Sequence, residues 1–312
     1  MSTAAPISRT VTVRAPAKVN LELRVSSRRP DGYHDVSSVF MAVGLYDEVS
    51  VTAYHEWYVD VTGPFADIVP TGPDNLVVRA VRLLADRADV ADDTVAVRIA
   101  KEIPVAAGMA GGSADAAAAL LACDHLWGLR LERDALTELA AELGSDIPFA
   151  LHGGIAIGSG RGEQLAPVLA RGSFHWVFAL REQGLSTPMV YAECDRLRGR
   201  GPVPQPTPSP QVMSALRRGD PAALGRALNN DLQQAAISLQ PDLQGVLDAG
   251  LDFGALGGIV CGSGPTVAFV TGSAEHALDL CVALTASGVA REVRRAKGPV
   301  HGAQLIPTVV PD

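Results

Sequence analysis

Three glycines within five positions stand just ahead of an alanine-rich run. The stretch reads Pro104-Val-Ala-Ala-Gly-Met-Ala-Gly-Gly-Ser-Ala-Asp-Ala-Ala. Gly108, Gly111 and Gly112 permit backbone conformations and a closeness of approach that side chains would block. The run Ser113 to Leu121 is dense in alanine, the best helix former, and Ser113 is a residue suited to capping a helix start. A helix is expected from there to about Trp127, stopped at Gly128. A glycine loop feeding a helix gathers free N–H groups and the positive end of the helix dipole at one spot. That spot suits phosphate oxygens. A second reading is purely structural: a tight loop packed on a sheet, with Ser113 as its cap and Asp115 as a charge complementing the dipole. Two familiar phosphate loops are excluded, because the segment has neither a terminal Lys-Ser/Thr nor GxGxxG spacing.

Upstream, residues 11 to 25 alternate. Val11, Val13, Ala15, Ala17, Val19, Leu21, Leu23 and Val25 share one face, and Thr12, Arg14, Lys18, Asn20, Glu22 and Arg24 the other. This is the period of a half-buried strand, with Pro16 at a bend or edge. Further strands are expected at 36–43, 48–53, 93–99, 154–158, 174–180, 266–270 and 289–294. Helices are expected at Asn75 to Ala88, Arg133 to Leu143, 211–218, 221–236, 241–249 and 273–287. A Gly-rich turn is expected at 257–265. The alternating prolines Pro202, Pro204, Pro206, Pro208 and Pro210 favour an exposed extended loop. Antiparallel-type strands mixed with clustered helices define an α+β protein.

With 312 residues, 47% of them hydrophobic, the chain can bury a large core without cross-links. Its formal net charge of -8 disfavours non-specific binding to nucleic acid or an anionic membrane. Cys123, Cys194, Cys261 and Cys281 lack metal-ligand spacing and fit a reducing compartment. Residues 1 to 13 hold no apolar core of signal-peptide length, and the run Ala114 to Ala122 is too short to span a bilayer. A soluble, cytoplasmic protein is expected, without nucleic-acid or membrane partners. The sequence specifies no oligomeric state.

Four more blocks carry residues suited to chemistry. Arg14-Ala-Pro-Ala-Lys-Val-Asn-Leu puts Lys18 and Asn20 on one strand face, about 7 Å apart; the bland alternative is a solvated, charged sheet face. Asp31-Gly-Tyr-His pairs a flat aromatic surface, Tyr33, with a donor–acceptor ring, His34; otherwise these are surface residues beside a turn. Gly144-Ser-Asp-Ile-Pro-Phe offers Asp146, which by residue type reads as a cap for a short helix begun at Ile147-Pro148. Cys261-Gly-Ser-Gly-Pro-Thr-Val-Ala is a second glycine loop whose N–H groups can face inward, or simply a hairpin turn.

In this order the blocks resemble the GHMP kinase superfamily, over about Arg14 to Val270. Pro104 to Ala114 resembles its phosphate loop, with Met109 in place of the usual Leu and Ala110 where this branch often has Gly. The Lys18 and Cys261 blocks resemble the first and third motifs. Asp31 to His34 resembles the branch acting on cytidine-diphosphate alcohols, and not homoserine, galactose or mevalonate kinases.

The resemblance implies a two-domain α+β fold with a cleft between the domains. Residues 1–168 would form a ribosomal-S5-like domain and 169–312 a ferredoxin-like one. It implies ATP and Mg²⁺ as cofactors, with Pro104, Gly108, Met109, Ala110, Gly111, Gly112, Ser113 and Ala114 on the phosphates and Asn75 and Lys101 near the adenine. Lys18 and Asp146 become catalytic, Asp146 as general base. Asn20, Tyr33, His34, Tyr191, Gly262, Ser263 and Gly264 become substrate-binding. Cytosine would lie between Tyr33 and Tyr191, the latter from Gly184-Leu-Ser-Thr-Pro-Met-Val-Tyr, with His34 at its edge. The implied reaction is ATP-dependent phosphorylation of the 2-hydroxyl of a cytidine-diphosphate-linked polyol in isoprenoid precursor synthesis. The rivals are another GHMP enzyme and an S5-like RNA-binding module. Net charge and the Lys18–Asp146 combination argue against the module.

Overall fold

The computed structural model describes residues 9–90, 94–181, 183–199, 201 and 203–307. Two sheets organise it. The first half supplies β1 (Thr10–Arg28), β2 (His34–Ala53), β3 (Tyr58–Thr62), α1 (Leu76–Ala88), β4 (Val95–Ala100), α2 (Gly111–Trp127), α3 (Arg133–Leu143), α4 (Ile147–His152), β5 (Ile155–Ser159) and β6 (Gln164–Pro167). The second half supplies β7 (Phe174–Leu180), α5 (Thr187–Arg198), α6 (Pro210–Arg218), α7 (Pro221–Ala227), β8 (Asn229–Asn230), α8 (Gln233–Leu239), α9 (Asp242–Asp252), β9 (Gly257–Val260), β10 (Val267–Thr271), α10 (Ala274–Ser287), β11 (Glu292–Gly298) and β12 (Gln304–Ile306).

One sheet runs β12-β1-β2-β4-β3, with β5 and β6 extending from β2 and β8 pairing with β1; the other runs β11-β7-β10-β9. β6 belongs to the first sheet and β7, the next strand in sequence, to the second. Both β8 and β12 nevertheless cross back to β1. Among the described residues no helix is long and apolar enough to cross a membrane.

Alternation in β1 is real, but its two faces differ in a way that matters. Val11, Val13, Ala15, Ala17, Val19 and Leu21 are core. The polar face is open at Arg14, yet Lys18, Asn20 and Glu22 are buried as well. A solvated charged face is therefore not what the strand presents beyond Pro16. The register with β2 shifts at Pro16/Ala17 and again at Asn20/Glu22, and such bulges re-aim side chains beside working sites. Helix α2 packs on β1, β2, α1 and α4. Its alanines at 114 and 116–119 are fully buried, and small side chains let it sit close to the sheet.

Several expectations are corrected. The strands at 36–43 and 48–53 are one element, β2, continuous through the bulge where Pro16 pairs with Tyr46 and Ala17 with Val43. The helix expected over 221–236 is broken by Asn229 and Asn230, which pair with β1. Asn side chains compete for backbone groups and favour such breaks. Gly257 and Gly258 belong to strand β9, not to a turn. A Cβ on Gly257 would lie 2.3 Å from the Gly225 carbonyl oxygen, so these glycines permit close packing. Residues 203–209 carry no regular structure, as expected of the proline-rich segment, while Pro210 begins α6. Pro202, residue 93 and residues 1–8 lie outside the described residues.

Candidate active site

Two adjoining cavities, of about 590 and 630 Å³, share Val36, Ser145, Arg161, Thr187, Pro188 and Tyr191, and so form one cleft. The first is lined by Lys18, Asn20, Pro104, Gly108, Ala110, Gly111, Gly112, Ser113, Asp146, Gly262 and Ser263 from the sequence-derived set. Tyr33 and His34 line the second, and Tyr191 lines both. Met109 and Ala114 are buried behind the loop.

At the floor, Lys18 and Asn20 reach from β1. Lys18 Nζ donates to Asn20 Oδ1 at 2.7 Å and lies 3.8 Å from Asp146 Oδ2. Asn20 Nδ2 donates to Ser38 Oγ at 2.7 Å, whose hydroxyl donates to the Glu22 carbonyl oxygen at 3.0 Å. The chain of bonds fixes Asn20 Oδ1 as acceptor toward the ammonium. Lys18 is only 6% exposed, whereas the Asp146 side chain keeps 32% of its surface open to the cleft. Asp146 stands at the N-cap of α4 but makes no side-chain capping bond. Its carboxylate is therefore free to meet a ligand, and the capping alternative is removed.

The glycine loop also departs from its simplest reading. Helix α2 begins at Gly111 behind Ala110, which takes a left-handed conformation at φ 60, and no side chain caps it. Ser113 is thus inside the first turn rather than at the cap, which leaves the first N–H groups unclaimed by a capping side chain. Lys18 N donates to the Met109 carbonyl oxygen at 3.2 Å, tying the loop to β1. A Cβ on Gly108 would fall 1.8 Å from the Cys261 carbonyl oxygen, so the two glycine loops meet backbone to backbone. Asn230 Nδ2 donates to the carbonyl oxygens of Val260 and Gly262 at 2.8 and 2.7 Å and holds the second loop. The hydroxyls of Thr187 and Ser263 are 2.8 Å apart.

Asn75 and Lys101 are not brought to the cavity wall. Asn75 caps α1, its Oδ1 accepting from Val77 N at 2.8 Å and its Nδ2 donating to the Pro70 carbonyl oxygen. Lys101 Nζ is buried between Asp47 and Asp115, 2.8 Å from Asp115 Oδ2. Asp47 Oδ1 accepts from the backbone N–H of Glu102 and Ile103 at 2.6 and 2.8 Å. The triad staples the strand leading into the loop to the helix leading out of it. Gly111 leaves room for it, since a Cβ there would lie 2.9 Å from Lys101 Nζ.

Burial pushes the Asp115 carboxyl from 3.8 up to about 8, against the pull of Lys101 and with a push from Asp47. The folded state therefore binds this proton more tightly than the unfolded state does. Stability from this group falls as pH rises between those values and the loss is complete above the upper one. In Asp115→Asn that component disappears. Relative to the native protein, the variant should gain in urea midpoint between pH 5 and pH 8; a pH-independent difference would count against this proton.

At the second cavity, Tyr33 is 56% exposed and Arg161 lies over its ring at 5.5 Å. The rings of His34 and Tyr191 are 5.0 Å apart. Arg161, Asn230, Ser38 and Thr187 escaped the sequence reading. Asn230 left a local signal, as part of Asn229-Asn230-Asp231 inside an otherwise helical pattern, and Thr187 stands within the Gly184 to Tyr191 block.

Residues 75–154 match the GHMP kinases N terminal domain and residues 212–290 the GHMP kinases C terminal domain. The chain belongs to the GHMP kinases and is a small-molecule kinase. Within that superfamily it belongs to the family of the 4-diphosphocytidyl-2-C-methyl-D-erythritol kinases. It is 53% identical to the enzyme of that name from Streptomyces avermitilis over 296 residues, covering 95% of this chain and 99% of the relative. To that of Mycolicibacterium smegmatis it is 54% identical over 300 residues, covering 95% and 92%. A crystal structure of a 4-(cytidine 5'-diphospho)-2C-methyl-D-erythritol kinase superposes with a TM-score of 0.75 at 31% identity, over 92% of this chain and 98% of that one.

Proposed function

We propose that the chain transfers the γ-phosphoryl group of ATP to the 2-hydroxyl of 4-diphosphocytidyl-2-C-methyl-D-erythritol, giving the 2-phosphate and ADP in the non-mevalonate isoprenoid route. The observation that carries this is the Lys18–Asp146 pair, 3.8 Å apart, in a cavity walled by both glycine loops and open to a second cavity with Tyr33, His34 and Tyr191. The phosphates lie across Gly108 to Ala114, against the loop N–H groups and the start of α2. Asp146 accepts the hydroxyl proton as that oxygen bonds to the γ-phosphorus and the bond to the bridging oxygen of ADP breaks. Lys18 neutralises charge on the moving phosphoryl group. Arg161, lining both cavities, meets the diphosphate of the substrate. The chain divides functionally at 168/169, and its four free cysteines fit a cytoplasmic setting.

Among the described residues, no group of three or more His, Cys, Asp or Glu could hold a metal ion alone. The cavity offers the Ser113 hydroxyl, which suits Mg²⁺ arriving with the nucleotide and keeping waters. When bound it supplies charge neutralisation at the β- and γ-phosphates. Ser113 is the residue that would hold it, leaving the Asp146 carboxylate to take the hydroxyl proton.

The direct test is ADP release with ATP, Mg²⁺ and 4-diphosphocytidyl-2-C-methyl-D-erythritol, run beside homoserine and mevalonate. Turnover that needs the cytidine compound supports the proposal; turnover of another alcohol alone overturns it. Tyr33→Ala should raise KM for the cytidine substrate by about tenfold, since base–aromatic stacking contributes ~1–3 kcal/mol, with a smaller change in kcat. An unchanged KM would place cytosine elsewhere.

A further inference from the structure

His34 opens β2 directly after the Asp31–Tyr33 turn, and its side chain is 7% exposed. Its Nε2 lies 3.0 and 3.2 Å from the two carboxylate oxygens of Asp195. Asp195 sits on α5 one turn beyond Tyr191, whose ring packs 5.0 Å from the imidazole. One helical turn therefore brings both an aromatic face and a carboxylate to the same ring. Asp195, His34 and Tyr191 all line the second cavity. The other ring nitrogen, Nδ1, takes no hydrogen-bond partner among the described residues and is not among the buried unsatisfied atoms.

A carboxylate only accepts hydrogen bonds, so Nε2 must carry the hydrogen. A neutral imidazole held this way has one free function left, the Nδ1 lone pair. Cytosine and uracil differ at two edge positions: cytosine carries an amino donor at C4 and a bare acceptor N3, uracil a carbonyl acceptor at C4 and an N3–H donor. Facing the C4 substituent, an acceptor nitrogen pairs with the cytosine amino group and opposes the uracil carbonyl. A ring free to switch tautomers would accommodate either.

We propose that Asp195 is the positioning residue of the cytosine subsite: by holding the His34 hydrogen on Nε2 it presents Nδ1 as an acceptor that selects cytosine over uracil. This rests on the cytosine reading of the second cavity given above. Asp195 touches no reacting atom and acts through His34. It also joins α5 to β2. A merely structural link would weaken every ligand of the cavity alike, whereas the positioning role is specific to the base.

The experiment uses the full chain with CDP and UDP as probes. Binding of each is measured by titration calorimetry for the native protein, Asp195→Asn and Asp195→Ala, with imidazole ¹⁵N chemical shifts of His34 recorded at pH 7.5. The native protein should prefer CDP and show His34 neutral with its hydrogen on Nε2. In Asp195→Asn, CDP affinity should fall about tenfold, the scale of one lost hydrogen bond, while UDP affinity changes less than about twofold. KM for ATP should stay unchanged as a check on folding. Equal losses for CDP and UDP, or a native His34 that is doubly protonated or carries its hydrogen on Nδ1, overturn the positioning role while leaving the cytosine pocket standing. A native protein with no preference for CDP overturns the pocket itself, and the role of Asp195 with it. Should Asp195→Asn fail to fold, Asp195→Ala and the native shifts decide.

Discussion

Asp146→Asn should lower kcat at least ~100-fold, the low end of what a general base contributes, and leave ATP binding largely intact. The amide fills the same space but cannot take the hydroxyl proton. Nothing else about Asp146 predicts so large a loss. Its carboxylate makes no capping bond in α4, so the helix start does not depend on it. Among the described residues its ion pair is with Lys18, long at 3.8 Å, and Lys18 retains Asn20 Oδ1 at 2.7 Å when that charge is removed. The phosphate loop is held separately, through the backbone bond from Lys18 N to Met109 and through the Asp47–Lys101–Asp115 triad. Steady-state turnover and nucleotide affinity, measured on the same folded sample, separate chemistry from binding. Near-native turnover would remove Asp146 from the mechanism, and a matching collapse of ATP affinity would make it a binding residue instead.

The second large effect should come from a single methyl group. Gly108→Ala places a Cβ 1.8 Å from the Cys261 carbonyl oxygen at a backbone φ of +76. Both the contact and the conformation oppose it. Strain at such a φ costs about 1–3 kcal/mol and overpacking a similar ~1–3 kcal/mol, and here the obstacle is backbone rather than a mobile side chain. The loops must separate, which removes phosphate loop and second glycine loop from register with each other. Expected are a lower denaturant midpoint and loss of most ADP formation. Gly112→Ala is the control for stability, because the nearest atom to its Cβ would be Leu76 Cδ1 at 3.6 Å. A Gly108→Ala protein with the midpoint and turnover of the native chain would show that the two loops do not need this contact.

What could be read ahead of the structure was whatever repeats locally or fills a short motif. Period-two alternation located β1, glycine and alanine density located the loop and α2, and the motif blocks brought Lys18, Asn20, Asp146, Tyr33, His34 and Tyr191 to one cleft. What escaped was set by distant partners. Lys101 stands in a motif-like position, but its ammonium answers to Asp47, 54 residues away in sequence, and that pairing leaves no local trace. Burial of Lys18, Asn20 and Glu22 on the polar face of β1 needs the second half of the chain to cover them. Glu22, for instance, accepts from Ser209 N at 2.7 Å. The capping expectation for Ser113 failed for a related reason, and the capping alternative for Asp146 with it. Residue type alone favours a cap, yet here the loop shifts the start of α2 upstream, and Asp146 faces the cleft.

The return of β12 to β1 bears on how the molecule is assembled over time. Thr12, Val13 and Arg14 pair with Ile306, Leu305 and Gln304, so β12 completes a sheet that β1 began some 290 residues earlier. Everything between Phe174 and Gly298 that builds the second sheet is thus enclosed within the first. During synthesis from the N-terminus, β1 waits with an unpaired edge until Gln304–Ile306 has left the ribosome, and an open edge is a template for wrong partners. A product truncated before Gln304 keeps Lys18, Asp146 and both glycine loops in its sequence, but leaves the strand bearing Lys18 with that edge exposed.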